Sequence, residues 1–404
     1  MESKLRHLTT SQKTNLARTI SVYRSEKKRV FKDLDASAIK EKASEIRASN
    51  ISNLEVLWNK AIQNFRNNGV VVHTAENKDE AAEIFSRLTT EKTKIVKSKS
   101  NVIDELELDS VRNITPTDIG DWLVKQMGKR KCHPINPAAY ISIEEIENFL
   151  RTKNIAVVKT KTPQAIVESI KAIIKEEILE AEVGITGANF VTSEGHIVLI
   201  ENEGNISLVS HLPRKHIVFA SLNKIVETLE EAMTLVKSLA LYGSPQKATA
   251  YINIITSPSK TRDIQKVLVH GVQGPEEVHL VVVDNNRKQL LTEKLKKTAL
   301  YCINCGSCLF YCPAYRILGN DFSADQIGGY GIVLTPIEKI RTAVLFSCFG
   351  CEACEEVCPV GVEVFPIMKK LRRERPNRIN QDIREQIMTN GNAVEDSTTW
   401  EIKR

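Results

Sequence analysis

Apolar and polar residues follow two registers along this chain, and the change from one to the other divides it. Up to about residue 66 the sequence is charged, with Ile51, Leu54, Leu57, Trp58, Ile62 and Phe65 on one helical stripe, so this region is expected to be helical. Asn67-Asn68-Gly69 supplies the stop. Short apolar runs and helical patterns then take turns: an extended run at 70–72, a helix at 79–88, a strand at 94–97, a helix at 163–181 and a strand at 183–186. The series continues with apolar runs at 197–200 and 217–220, a helix at 223–241, and strands at 251–255 and 278–283. Such alternation predicts an α/β fold, with helices packed on a mainly parallel sheet.

Past residue 284 the pattern fades into the polar stretch NNRKQLLTEKLKK, and from 299 to about 375 it reads as short helices and loops. The expected division is a helical region at 1–66 packing on the α/β domain, the α/β domain at 67–288, a small helical domain at 289–375 and a polar tail at 376–404. The 404 residues are enough for two or three domains. The 56 basic and 50 acidic residues leave a net charge of +6, too even a balance for nucleic acid to be the main partner. No segment approaches the apolar length of a membrane span. The chain opens with MESKLRHLTTSQK rather than an apolar signal core, so a cytoplasmic protein is expected, at most held at the inner face of the membrane by its partners.

Eight of the nine cysteines fall into two copies of one spacing: Cys302, Cys305, Cys308 and Cys312 before Pro313, then Cys348, Cys351, Cys354 and Cys358 before Pro359. Three thiolates at double-gap spacing can take three corners of a cubane from one tight loop, which has no room to supply the fourth. In two-cluster ferredoxins the cysteine before proline ligates the opposite cluster. Cys302, Cys305 and Cys308 would then pair with Cys358, and Cys348, Cys351 and Cys354 with Cys312, giving two 4Fe-4S clusters built together. Structural zinc prefers two separated pairs, often with histidine, and no histidine follows His279. Disulfide frameworks belong to small secreted chains. Cys132, alone in sequence, is expected to be a buried or idle thiol.

Other segments carry weaker signals. Gly184-Ile185-Thr186-Gly187-Ala188-Asn189-Phe190 follows a predicted helix, and glycines at strand ends admit close approach of a ligand, although a turn explains them equally. Lys97-Ser98-Lys99-Ser100 could bind a carboxylate or phosphate at the sheet edge; a solvated loop is the commoner meaning. Glu201 and Glu203 lie in a glycine-containing turn. The spacer between the cysteine motifs, with Gly319, Gly328, Gly329 and Gly331, either covers a cluster, forms part of a docking face or is plain surface loop. The basic run Lys369 to Arg375 reads first as a solvated helix end and second as a docking patch.

The segments IVKSKSNVIDEL at 95–106, TDIGDWL at 117–123, EAEVGITGANF at 180–190, ENEGNISLVSHLP at 201–213 and GVQGPEEVHLVVVDN at 271–285, with both cysteine motifs, carry a resemblance. The chain resembles the iron-sulfur subunit of the bacterial lactate-utilisation system (LutB type): a LUD domain followed by a paired 4Fe-4S ferredoxin-like domain. The resemblance implies a LUD fold of the coenzyme A transferase and ribose-phosphate isomerase group, and electron relay during oxidation of L-lactate to pyruvate. It also implies a cysteine-rich partner subunit and a second LUD protein. Two departures stand out: longer members carry a further C-terminal domain, and Tyr140 stands where the family tends to have histidine.

Clusters shuttle single electrons and cannot by themselves take a hydride from carbon. The chain has no flavin or nicotinamide fingerprint, so substrate chemistry is expected at an interface or in another subunit, with a flavoprotein as a further partner class. No catalytic residue is assigned. Two alternatives accompany this expectation: an electron-transfer module for another dehydrogenase or quinone reductase, and a coenzyme A or acyl transferase using Glu201 as nucleophile with structural clusters.

Overall fold

The computed structural model describes residues 5–153, 155 and 162–375. Its centre is a parallel sheet of β1 (Val71–Ala75), β2 (Ile95–Lys97), β3 (Ile114–Pro116), β4 (Val183–Gly187), β7 (Lys215–Ser221) and β12 (Glu277–Val283), in the order β1-β12-β7-β4-β2-β3. The middle strands are buried on both faces, which is why they read as continuous Val and Ile runs rather than alternating ones. A second, mixed sheet joins β5 (Phe190–Thr192), β6 (Ile197–Glu201), β8 (Ile225–Val226) and β9 (Tyr251–Ile255) in the order β8-β5-β6-β9. An antiparallel ribbon, β10 (Lys260–Thr261) with β11 (Val269–His270), stands apart.

The predicted strands at 94–97, 183–186, 217–220 and 278–283 enter the parallel sheet as expected. The runs at 197–200 and 251–255 instead form the second sheet, because β6 turns back on β5 and pairs antiparallel with it. The helix expected from 223 starts later, at Leu229–Gly243 capped by Thr228, since Ile225 and Val226 are spent on β8.

Among the described residues up to 67 there are three helices, α1 (Thr10–Val30), α2 (Ala36–Ser52) and α3 (Leu54–Asn67). The helical stripe is broken at Asn53, which ends α2 and caps the start of α3. Helix α3 packs on the α/β domain through Leu57, Trp58, Ala61 and Phe65. Leu16, Ile20 and Tyr23 of α1 and Ala43 and Ile46 of α2 enter a core shared with Leu309, Phe310, Ala314 and Tyr315 of the cysteine-rich segment and with Leu235 and Leu241 of the helix Leu229–Gly243. The first two helices thus bridge both regions rather than resting on the α/β domain alone. The polar tail expected at 376–404 lies outside the described residues. Among the described residues no helix is long and apolar enough to cross a membrane.

Candidate functional site

The two cysteine motifs sit on short helices and turns. Ser307–Tyr311 and Ala353–Glu356 each start inside a motif, and Pro313 starts the next helix where its missing N–H costs nothing. Gly306 holds φ at +72° between Cys305 and Ser307. Burial raises the pKa of Cys302, Cys305, Cys308, Cys312 and Cys354, and the thiols that add to it sort into two groups. Cys358 acts on Cys302, Cys305 and Cys308, whereas Cys348 and Cys351 act on Cys312 and Cys354. Cys308 also feels Cys354, so the groups are neighbours. All eight thiols are free of disulfides. Among the described residues no three His, Cys, Asp or Glu side chains converge as a single metal ion would require.

Amide donors and cations surround the group that includes Cys302. Asn304 N–H donates to Cys302 Sγ (3.3 Å) and Val362 N–H to Cys358 Sγ (3.4 Å). The charges of Lys27, Lys40, Arg47 and Lys224 act on these thiols. Lys27 comes from α1 and donates to Ser307 Oγ (3.1 Å). Arg47, fully buried on α2, donates to the carbonyls of Tyr301 (3.0 Å), Ile225 (3.0 Å), Leu300 (2.9 Å) and Asn223. It knits β8 to the chain entering the first motif. The other group is more open: Cys351 is exposed and Phe349 is 64% exposed beside it.

His133 is a contributor that sequence reasoning missed. Its Nδ1 accepts from the N–H groups of Ile135 (3.1 Å) and Asn136 (3.2 Å), which leaves Nε2 to donate to the Gly306 carbonyl (3.1 Å). Its ring stacks on Phe310 at 4.2 Å. Burial drives its pKa down to about 3, so the ring is neutral. Neighbouring Cys132 is buried, donates to the Asn136 carbonyl (3.3 Å), and has its pKa raised by burial to about 12. Tyr140 donates to the Arg130 carbonyl and lies in a core, not at a site.

The weaker sequence signals converge on one cavity of about 200 Å³ at the carboxyl edge of the parallel sheet. Lys99, Ser100, Gly187, Asn189, Glu201 and Glu203 all line it. Lys97 does not; it is buried in ion pairs with Asp104 (3.1 Å) and Asp109 (2.7 Å). The glycines serve the protein's own packing. A Cβ at Gly184 would lie 1.9 Å from the Val209 carbonyl oxygen, and one at Gly187 would lie 1.9 Å from Ser100 Oγ. Glu201 accepts from the N–H groups of Ile206 (2.6 Å) and Ser207 (2.9 Å), from Asn253 (3.0 Å) and from the Ser207 hydroxyl. These bonds commit its carboxylate to the start of the helix Asn205–His211, a structural use that the transferase alternative would have to undo.

The opposite boundary of the cavity belongs to the cysteine-rich segment, through Ile303, Asn304, Gln326 and Tyr330. A hydrogen-bonded chain crosses here: Arg287 pairs with Glu105 (2.5 Å), Gln326 donates to Glu105 (2.7 Å), Asn304 to Gln326 (3.0 Å), and Lys224 to Asn304 (2.8 Å). The spacer therefore forms part of the core and of the cavity wall, with Tyr330, Ile332 and Val333 buried. The basic run is largely committed as well. Lys370 pairs with Glu293, Arg372 donates to the carbonyls of Leu345 (2.9 Å) and Cys348 (2.6 Å), and Arg375 to those of Ile337 (2.9 Å) and Ile340 (2.6 Å). Arg372 braces the second motif, while Lys369 and Arg373 remain exposed as a solvated helix end would be.

The LUD domain model matches residues 58–283 and the 4Fe-4S dicluster domain model residues 298–362. Lactate utilization protein B of Anoxybacillus flavithermus is 33% identical over 342 residues, which is 81% of this chain and 70% of that protein. The chain belongs to this family. Lactate utilization protein B of Bacillus subtilis is 31% identical over 358 residues, covering 85% of this chain and 72% of that one. The uncharacterized electron transport protein YkgF of Escherichia coli is 31% identical over 348 residues, covering 83% and 70%. Among solved structures, a DUF162 family protein from Deinococcus radiodurans covers 57% of this chain and 98% of its own at 13% identity, with a TM-score of 0.32 too low to bear on the fold. Family membership makes this an iron-sulfur protein, with its cysteine-rich segment inside the dicluster match.

Proposed function

We propose that this chain is the iron-sulfur electron-transfer subunit of a complex that oxidises L-lactate, or a related 2-hydroxy acid, to the keto acid. In this reading Cys302, Cys305, Cys308 and Cys358 hold one 4Fe-4S cluster, and Cys348, Cys351, Cys354 and Cys312 hold a second. What supports it is the proximity of the thiols: Cys358 acts on Cys302, Cys305 and Cys308, and Cys312, Cys348, Cys351 and Cys354 act on one another, with Cys308 and Cys354 as the point where the two groups meet. Bound clusters would supply one-electron steps. The protein's part is to fix the thiols, supply sulfur with N–H donors, and surround one group with cations. The partners are protein subunits: a cysteine-rich subunit and a second LUD protein, or a flavoprotein.

Anaerobically purified protein should contain about eight iron and about eight acid-labile sulfide per chain. Tightly bound zinc without sulfide would end the reading. Cys312→Ser should damage the cluster of Cys348, Cys351 and Cys354, and loss confined to the cluster of Cys302, Cys305 and Cys308 would refute the crossed assignment. The isolated chain should be reducible yet inert toward lactate until its partners are added. One relative is named only for electron transport, which favours a broader second reading, service to another dehydrogenase or a quinone reductase. Identifying the subunits that co-purify with the native protein separates the two.

A further inference from the structure

The cavity at the sheet edge is closed on one side by the loop that carries Cys302. A second, larger cavity of about 560 Å³, lined by Cys302 and Cys308, shares the walls Asn304, Gln326 and Tyr330 with it. Whatever occupies the smaller cavity therefore lies one side chain away from the cluster site. Its size limits the occupant. At about 200 Å³ it falls below the roughly 300 Å³ at which sites for drug-sized ligands begin, so a flavin or a dinucleotide does not fit inside.

The polar groups narrow the choice further. On the cluster side stands Lys224, 9% exposed, whose ammonium donates to Asn304 Oδ1 (2.8 Å) and the Cys302 carbonyl (3.4 Å). Among the described residues it has no carboxylate partner; the thiols of Cys302 and Cys305 act on it from one side and the cavity lies on the other, where its ammonium can also meet an anion. On the side of the α/β domain Lys99 donates to Asp118 (2.7 Å) and to the Ile135 carbonyl (2.9 Å), with Glu203 next to that pair. Burial first, and Asp118 second, push the Glu203 carboxyl up to about 7, although part of the side chain opens to solvent at the cavity mouth. A Glu203 carboxyl raised in this way can hold a proton near neutral pH beside the Lys99–Asp118 pair.

We propose that this cavity is a binding site for a small 2-hydroxy or 2-oxo carboxylate. Lys224 and Asn304 take the ligand's carboxylate, and the Asp118, Glu203 and Lys99 group faces its hydroxyl or keto oxygen. A 2-hydroxy acid needs a fixed cation and, beside its hydroxyl, a group that can hold a proton; the cavity supplies both within the volume of a few-carbon molecule. The inference rests on the electron-transfer reading for its choice of ligand class. It differs from that reading in placing the ligand in this subunit, against the loop of Cys302.

The test uses the cluster-loaded full chain with pyruvate, L-lactate and acetate as probes, followed by calorimetry and by the paramagnetic resonance of the reduced clusters. Pyruvate and lactate should bind saturably and alter the signal of the cluster beside Cys302, with acetate bound roughly tenfold more weakly for want of the second oxygen. Glu203→Gln lies away from the cysteine loop and Lys224→Gln touches it. Each should raise Kd by roughly tenfold, Glu203→Gln at unchanged iron content and Lys224→Gln when compared with the parent at matched cluster loading. Absence of saturable binding at millimolar pyruvate, or wild-type Kd in both variants, overturns the site. If lactate fails to reduce the assembled complex while pyruvate still binds, the site stands and the relay reading falls. If reduction proceeds undiminished in a double variant that binds nothing, the relay stands and the site falls.

Discussion

At the scale of single residues, Gly306 shows how closely the cysteine loop is fitted to the α/β domain. Its φ of +72° is left-handed, and a Cβ there would lie 2.5 Å from His133 Cε1 and 2.7 Å from Nε2. Gly306→Ala therefore incurs the left-handed cost of about 1–2 kcal/mol and must also displace a ring held by three hydrogen bonds. The expected result is a protein with a lower melting temperature and less iron. Gly128→Ala is the control, because Gly128 has φ +61° with nothing within 4 Å of the added carbon. It should lose the conformational term alone and keep its iron. Normal iron content in Gly306→Ala would show that the loop can shift away from His133. Neither residue's role was legible in the sequence. A spacing motif identifies the thiols, but His133 lies far from them along the chain and reaches Gly306 only through the fold.

Among the elements, α1 has the least expected role. Tyr23 donates to the Tyr242 carbonyl (2.6 Å) and lies 2.6 Å from Ser307 Oγ, Arg24 donates to the Phe310 carbonyl (3.1 Å), and Lys27 reaches Ser307. One helix face thus clamps the loop between Cys305 and Phe310. Tyr23→Phe keeps the ring and takes this donor from the Tyr242 carbonyl, a loss of about 1–3 kcal/mol that denaturant unfolding would measure. If α1 only covers the surface, that variant should unfold like the parent. The sequence marked α1 as helical and charged, but periodicity reports which face is apolar and not what that face meets. The parallel strands were legible for the opposite reason, since burial on both faces writes itself as uninterrupted Val and Ile. Within that sheet His216 sits fully buried on β7, 2.8 Å from Thr186 Oγ1, and burial lowers its pKa to about 3. The unfolded chain takes up a proton near the ordinary histidine value and the folded one does not, so stability falls as pH drops from about 6.5 toward 3. Replacing His216 with Leu should flatten that part of the pH dependence of urea unfolding between pH 7.5 and 5.5, and an unchanged slope would assign the acid sensitivity to other groups.

For the whole molecule, the three parts of the chain enclose one thiol group and leave the other near the surface. The group of Cys302, Cys305, Cys308 and Cys358 receives Lys27 from α1, Lys40 and Arg47 from α2, and Lys224 from the α/β domain. The group of Cys312, Cys348, Cys351 and Cys354 has exposed Cys351 and Phe349 at its edge; Arg372 donates to the Cys348 carbonyl (2.6 Å) and Arg316 acts near Cys312, fewer cations than the other group has, while Glu355 acts on Cys354. The eight thiols could be read from the sequence, but this asymmetry could not, because its cations come from segments some 78 to 331 residues away. Added electrons are negative charge, which buried cations favour and a neighbouring carboxylate opposes. With the two proposed clusters bound, the one beside Lys224 should therefore be reduced at the higher potential, and in the electron-transfer reading electrons would enter at the exposed edge and rest inside. A potentiometric titration followed by paramagnetic resonance, with the signals assigned through Cys312→Ser, would rank them. Lys40→Gln, which removes a cation donating to the Glu356 carbonyl at 3.1 Å, should lower the potential of the inner cluster and leave the outer one in place. Equal potentials in the parent protein, or a Lys40→Gln shift confined to the outer cluster, would mean that the cations serve the fold and do not set the direction of electron flow.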